Sequence, residues 1–199
     1  MNRDKELQRA EHERSLWGSM KEGDHDAYTK LIGNYFQLLY SYGVRLERDE
    51  ELVKDCIQTM FHDIWKNHKN LAQEVSVKPY FFSCLRRLLV KQRREWLRFE
   101  KIEDDYCFDV EINIETRLIE DQELKEQKTR IQTVLNNMPA RQREILYLRF
   151  YEGLNHQKIC EVMQINHQVV YNLLHKSLLR FRRDWAALGL LLPLYARLS

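Results

Sequence analysis

Glycine and proline are scarce in this chain, six and three among 199 residues. That leaves little material for the tight turns that join β-strands, while Leu, Glu, Arg, Lys and Gln, all good helix formers, are abundant. The composition therefore predicts an almost all-α protein. Long apolar runs are missing too: nowhere do the roughly 20 consecutive apolar residues of a membrane-spanning helix occur. The opening MNRDKELQRAEHER is too charged for the apolar centre of a secretory signal, so the chain is expected to be cytoplasmic. Cysteine is limited to positions 56, 84, 107 and 160, without the close pairing of a zinc site or the density of a disulfide scaffold. His156 and Cys160 lie one helical turn apart, but no second ligand pair at helical spacing completes a site. No metal or cofactor is expected. A hydrolase or nuclease with its chemistry among Asp55, His62 and Asp63 is disfavoured, because the chain has neither a glycine-rich phosphate loop nor a paired ligand motif.

What is present is 44% apolar residues, 11% of the chain aromatic, and a net charge of only +2 that conceals segregation. RRLLVKQRREWLR, residues 86–98, carries Arg86, Arg87, Lys91, Arg93, Arg94 and Arg98 against the single acid Glu95. Between Glu103 and Glu126 ten acids face only Arg117 and Lys125, and from Arg141 to Arg183 the chain turns basic again. Two basic helical blocks on either side of an acidic connector suggest two modules that touch one extended polyanion. The expected domains are residues 1–100, an acidic linker at 101–127, and residues 128–199.

Three helical patterns precede the connector. After a candidate cap at Asp24, the residues Ala27, Leu31, Tyr35, Leu38, Leu39 and Tyr42 recur at helical spacing. In ELVKDCIQTMFHDIWKNH, Val53, Ile57, Met60, Ile64 and Trp65 share one side, and Lys54, Asp55, Gln58, His62 and Lys66 share the other. A third helix starts from Ser76 with Pro79 in its first turn, begins aromatic and ends cationic. Aromatic rings mixed with cations suit single-stranded nucleic acid, where bases stack and phosphates are held. Leu85, Leu88 and Leu89 belong to the core by spacing, whereas Tyr80 and Phe82 are open to either role.

The stretch KICEVMQINHQVVYNLLHKSLLRFRR contains two short amphipathic helices. Asn155 can cap the first, with Leu154 and Ile159 as a hydrophobic staple, and Asn166, Ile165 and Val170 repeat the arrangement for the second. Starts eleven residues apart leave room only for a short turn at Gln164-Ile165. On the second helix Val170, Leu174, Ser177, Leu178 and Phe181 form one face, and His167, Gln168, Tyr171, Asn172 and His175 form the other. Amides and imidazoles on an outward face are what a recognition helix presents to base edges in a major groove.

MPARQREILYLRFYEGLNHQKICEVMQINHQVVYNLLHKSLLRFR resembles the promoter-distal DNA-binding domain of RNA polymerase sigma factors of the extracytoplasmic-function type. GDHDAYTKLIGNYFQLLY, DCIQTMFHDIW and VKPYFFSCLRR are similar, in order, to the other conserved domain of that family. The resemblance spans roughly residues 22–98 and 138–183. It implies two helical domains, the second with a helix-turn-helix, and a polymerase specificity subunit rather than an enzyme. Its partners would be core RNA polymerase, promoter DNA and a membrane-bound anti-sigma factor.

By that resemblance Asp55, Gln58 and His62 match the polymerase-docking helix, and Tyr80, Arg86, Arg87, Lys91 and Arg94 fall in the segment that recognises and melts the downstream promoter element. In the hairpin, base reading is expected of His167, Gln168, Tyr171, Asn172 and His175, with Arg149 and Lys176 as anchoring charges. The chain departs from the family pattern at Gln164, where glycine is usual, at Cys160, where alanine is usual, and at Tyr171 and Leu173, where cations are usual. The tail DWAALGLLLPLYARLS has no counterpart. The alternative is a regulator that binds DNA through the hairpin alone and forms no complex with polymerase.

Overall fold

The computed structural model describes the backbone of residues 2–96, 107–110 and 122–195, and the side chains of residues 8, 11–93, 107–110 and 125–187. Among the described residues it is all-helical, as the composition predicts. The chain divides into two compact units, residues 1–102 with 161–164, and residues 103–160 with 165–199.

The first unit is built from α1 (Asn2–Lys21), α2 (His25–Leu46), α3 (Glu50–Lys66) and α4 (Val77–Trp96). The Asp24 carboxylate accepts from the backbone N–H groups of Asp26 and Ala27, at 2.9 and 3.1 Å, and so starts α2 as its sequence predicts. Asp49 does the same for α3 through Glu51 and Leu52. Apolar spacing then places Leu31, Leu39 and Tyr42 of α2, Ile57 and Met60 of α3, and Phe81, Phe82 and Leu85 of α4 in one core, each almost wholly buried. Burial of each such side chain is worth about 1.5–3 kcal/mol. At Gly43 α2 comes so close to α3 that an added Cβ would lie 2.5 Å from the Val53 Cγ1.

The charged amino-terminal stretch forms a helix that no apolar periodicity announced. The last turns of α1 are anchored: Leu16, Trp17 and Met20 are buried, and the Trp17 indole donates to the Ala72 carbonyl at 3.0 Å. Trp17 also meets the rings of Tyr80 and Phe81, with centroids 5.4 and 6.1 Å apart.

The second unit comprises α5 (Gln122–Asn136), α6 (Ala140–Leu146), a π-helical segment (Tyr147–Tyr151), α8 (His167–Tyr195) and residues 156–160 of α7 (His156–Met163), whose last residues are grouped with the first unit. Part of the expected linker is structured: α5 begins at Gln122, and Phe108 and Val110 are buried, Phe108 with its ring 5.5 Å from that of Tyr147. The remainder of the expected linker, residues 101–106 and 111–121, lies outside the described residues. Helix α8 runs on past Phe181 into the unplaced tail. There Arg130 of α5 stacks its guanidinium 4.1 Å over the Trp185 ring and donates to the Trp185 carbonyl, while Arg180 of α8 donates to the Asn137 carbonyl. Trp185 thus ties α8 to α5, and the tail side chains from residue 188 onward lie outside the described residues.

Candidate nucleic-acid interface

Both helices of the hairpin start as the sequence predicts. Asn155 accepts from the Lys158 N–H and Asn166 from the Val169 N–H, each at 2.9 Å, so each cap serves the third residue of its helix. Leu154, Ile159 and Val170 are buried, and Ile165 is half-buried. The turn between them hinges on Gln164, whose φ of 54° is the only left-handed value at a non-glycine among the described residues. With Gln164 left-handed, the Ile165 N–H reaches back to the Cys160 carbonyl at 3.2 Å, the six-to-one bond of a Schellman ending. A residue with a side chain in this conformation adds a backbone strain of roughly 1–2 kcal/mol.

Helix α8 sorts its side chains by this geometry. Val170, Leu174 and Ser177 are buried, and Leu178 and Phe181 are half-buried. His167, Gln168, Tyr171, Asn172, His175 and Lys176 are exposed, Tyr171 to 61%. The outer face is ordered rather than loose. The Gln168 amide donates to the Asn172 Oδ1 at 3.1 Å, and the Tyr171 and His175 rings are parallel with centroids 6.4 Å apart. One edge of the face is thus an amide pair and the other an aromatic pair, each joined across one helical turn.

Arg149, expected as an anchoring charge, is half-buried and donates Nη1 to the Leu154 carbonyl at 3.0 Å. It braces the loop that leads into α7, so its guanidinium is partly committed within the unit.

In the first unit Asp55, Gln58 and His62 are all exposed along α3, while Val53, Ile57, Met60 and Ile64 behind them are buried and Trp65 is half-buried. On α4 the two aromatic residues left open by sequence go to the core side. Phe82 is wholly buried, with its ring 4.5 Å from that of Tyr42. Tyr80 is half-buried against Trp17; burial, with a hydrogen bond to the Cys84 sulfur, pushes its phenol up to about 12. The Phe82 ring is therefore not free to stack on a base. The cations are more accessible: Arg87 and Lys91 are exposed and Arg86 is half-buried, with the Arg87 Nη2 3.9 Å from the Cys84 Sγ. The Arg94 side chain lies outside the described residues.

The family model described as "Sigma-70, region 4" matches residues 128–181, which hold α6, the π-helical segment, α7, the turn and the recognition face of α8. Residues 128–181 are thus similar to region 4 of the sigma-70 family. The fold of the chain is similar to two solved structures. One is CnrH in complex with the cytosolic domain of CnrY, at 16% identity and a TM-score of 0.52, covering 89% of this chain and 96% of that one. The other is the sigma factor RpoE in complex with the anti-sigma factor NepR from Bartonella quintana, at 16% identity and a TM-score of 0.57, covering 79% of this chain and 95% of that one. Among curated proteins no sequence match reaches significance. No helix among the described residues of the chain is long and apolar enough to cross a membrane.

Proposed function

We propose that this chain is a sigma factor of the extracytoplasmic-function type and divides its work between its two units. Asp55, Gln58 and His62 on α3 dock core RNA polymerase. The cations of α4, Arg86, Arg87 and Lys91 together with Arg94, hold promoter DNA while it opens, and α8 reads the upstream promoter element in duplex form. The observation that carries this reading is the breadth of the likeness. The region 4 match covers the hairpin, and the fold similarity extends over 79–89% of the chain, including the first unit, which a hairpin-only regulator would not need. The neighbouring structures hold a cytosolic domain and an anti-sigma factor as partners. By that likeness an inhibitor protein, anchored in the membrane and presenting a cytosolic segment, is the expected brake on this chain in the cytoplasm. The role asks for no cofactor and no catalysis by the chain itself.

The test is reconstitution with core polymerase on a promoter library. Asp55→Arg is expected to weaken association with core polymerase by tenfold or more. The folded state is expected to change by no more than about 0.5 kcal/mol, as is usual for exposed positions. Unchanged affinity for core polymerase in that variant would remove α3 from the docking role, and no complex at all with the unmodified chain would favour the regulator that binds DNA alone.

A further inference from the structure

The second unit carries an apolar hollow and an apolar projection. The hollow is a cavity of about 430 Å³ between α5, α6, the π-helical segment and the middle of α8, with Ile131, Leu135, Leu146, Phe150, Leu178 and Phe181 in its walls. Its one charged lining residue is Arg143, whose Nη1 donates to the Asn136 carbonyl at 3.1 Å. Phe150 and Tyr151 line it too and are 65% and 62% exposed, so this apolar surface is open to solvent, as a contact surface is before its partner arrives. The projection is the end of α8. From Trp185 to Ala196 the sequence WAALGLLLPLYA holds no charge, and the helix runs on to Tyr195. Ala186 and Ala187, where that run begins, are exposed. A helix apolar on every side is stable only when something covers it. Helix α5 offers little cover: Arg180 reaches the Asn137 carbonyl and Arg130 the Trp185 carbonyl, so the two helices run antiparallel and the residues past Trp185 head toward the start of α5. There the sequence is QELKEQK, with Leu124 as its single apolar residue.

The end of α8 cannot enter its own cavity. Leu178 and Phe181 of the same continuous helix line that cavity, and at 1.5 Å per residue the run from Leu188 to Tyr195 starts about 10 Å beyond Phe181 and leads away from it. A second copy removes the obstacle. We propose that two copies of this chain exchange their tails, the run from Leu188 to Tyr195 of each seated in the cavity of the other. In a two-fold pair, whatever one copy gives it also receives. Cavity and tail lie on one helix, roughly 15–20 Å apart along its axis, so two α8 helices laid antiparallel bring both tails to both cavities at once. The chemistry of the two surfaces matches. An uncharged tail enters a cavity whose only cation already donates to a carbonyl, so no charge is stripped of water without a partner. Leucines and aromatic rings are also what the buried centre of a homodimer interface holds. None of Gln168, Tyr171, Asn172 and His175 lines the cavity, so the exchange makes no use of the outer face of α8 and does not rest on its reading of DNA.

The experiment is sedimentation equilibrium of the full chain across the micromolar range, where a reversible dimer is expected. Phe150→Glu changes the cavity at an exposed ring, and Leu191→Lys changes the tail. Each alone is expected to weaken the dimer by about tenfold or more while the helical circular dichroism stays that of the parent. An equimolar mixture of the two variants is expected to recover the dimer, because an unchanged tail then enters an unchanged cavity on one side and the introduced lysine meets the introduced glutamate on the other. The chain ending at Ala187 is expected to be monomeric and still folded, since Trp185 keeps its contacts with Arg130. If Leu191→Lys abolishes the dimer and Phe150→Glu leaves it intact, the tails pair with each other and the exchange is overturned. A mixture no stronger than either variant alone overturns it as well. So does an unmodified chain that stays monomeric at its highest soluble concentration; co-sedimentation with phosphatidylglycerol vesicles that is lost on removal of residues 188–199 would then assign the tail to a lipid surface instead.

Discussion

At the scale of single residues, Gln164 shows how a helix-turn-helix tolerates a departure from its usual glycine. The turn needs one left-handed residue so that the Ile165 N–H can close on the Cys160 carbonyl, and Gln164 takes that conformation at φ 54°. A side chain there is strained by its own Cβ, and glycine would relieve the strain at some cost in chain entropy. Gln164→Gly is expected to stabilise the second unit by about 1 kcal/mol, raising its thermal midpoint by roughly 4–8 °C in a scanning calorimeter. A lower midpoint would mean that Gln164 makes a contact worth more than the strain. Two glycines inside α2 make the opposite comparison. Both carry a helix-propensity penalty of about 1 kcal/mol relative to alanine. Gly33 is exposed with nothing within 4 Å of an added Cβ, so Gly33→Ala is expected to recover most of that amount. At Gly43 the same methyl would meet the Val53 Cγ1 at 2.5 Å and the Leu85 Cδ2 at 3.5 Å. Valine in a helix has essentially one allowed rotamer and cannot turn aside, so Gly43→Ala is expected to destabilise the first unit by about 1–2 kcal/mol net. Thermal or denaturant unfolding of the two variants should move them to opposite sides of the parent.

At the scale of elements, α8 matters most, because under the proposed function its amide pair acts as one reader. With the Gln168 Nε2 donating to the Asn172 Oδ1, the two side chains hold each other in place and offer their remaining donors and acceptor as a unit. Each of Gln168→Ala and Asn172→Ala is expected to relax base preference by about 1–3 kcal/mol at one or two positions. The double variant should fall short of the sum by about 0.5 kcal/mol or more, since either single change already frees the partner. Library selection by the reconstituted complex measures all three, and strict additivity would show that the two amides read independently. The elements also show what the sequence could and could not convey. The caps at Asp24, Asn155 and Asn166 and the inner face of α8 were legible because they depend on near neighbours in the chain. Helix α1 was not, since among its described side chains burial is confined to Leu16, Trp17 and Met20 and its partner at Ala72 is 55 residues away from Trp17. The same limit applied to Tyr80 and Phe82. Spacing alone left them open, and contacts with Trp17 and Tyr42 decided them. Arg149 looked like a free anchor because no local pattern shows that the Leu154 carbonyl will take one of its N–H groups.

At the scale of the whole molecule, charge and connectivity set how the two units are used. The outer face of α8 holds one permanent cation, Lys176, among Gln168, Tyr171, Asn172 and His175, and even with Arg141 beside it the non-specific phosphate attraction is small. The second unit by itself is therefore expected to bind duplex DNA feebly. A fragment meant to test this has to begin before Phe108, because Phe108, Val110, Val134 and Leu135 are buried and Arg130 ties α5 to Trp185. A fragment that starts at Asn137 would lose all of those contacts. Residues 103–199 are thus expected to fold and to show the helical circular dichroism of α5 to α8, while residues 137–199 lose much of it. The folded fragment is expected to bind an upstream element at least a hundredfold more weakly than the full chain in complex with core polymerase. In that complex the first unit, docked and in contact with DNA, presents the hairpin at an effective concentration in the millimolar range. Gel-shift titration of both proteins on one selected duplex makes the comparison. Equal affinities would mean that the hairpin carries its own binding energy, and that polymerase contributes nothing to upstream recognition by this chain.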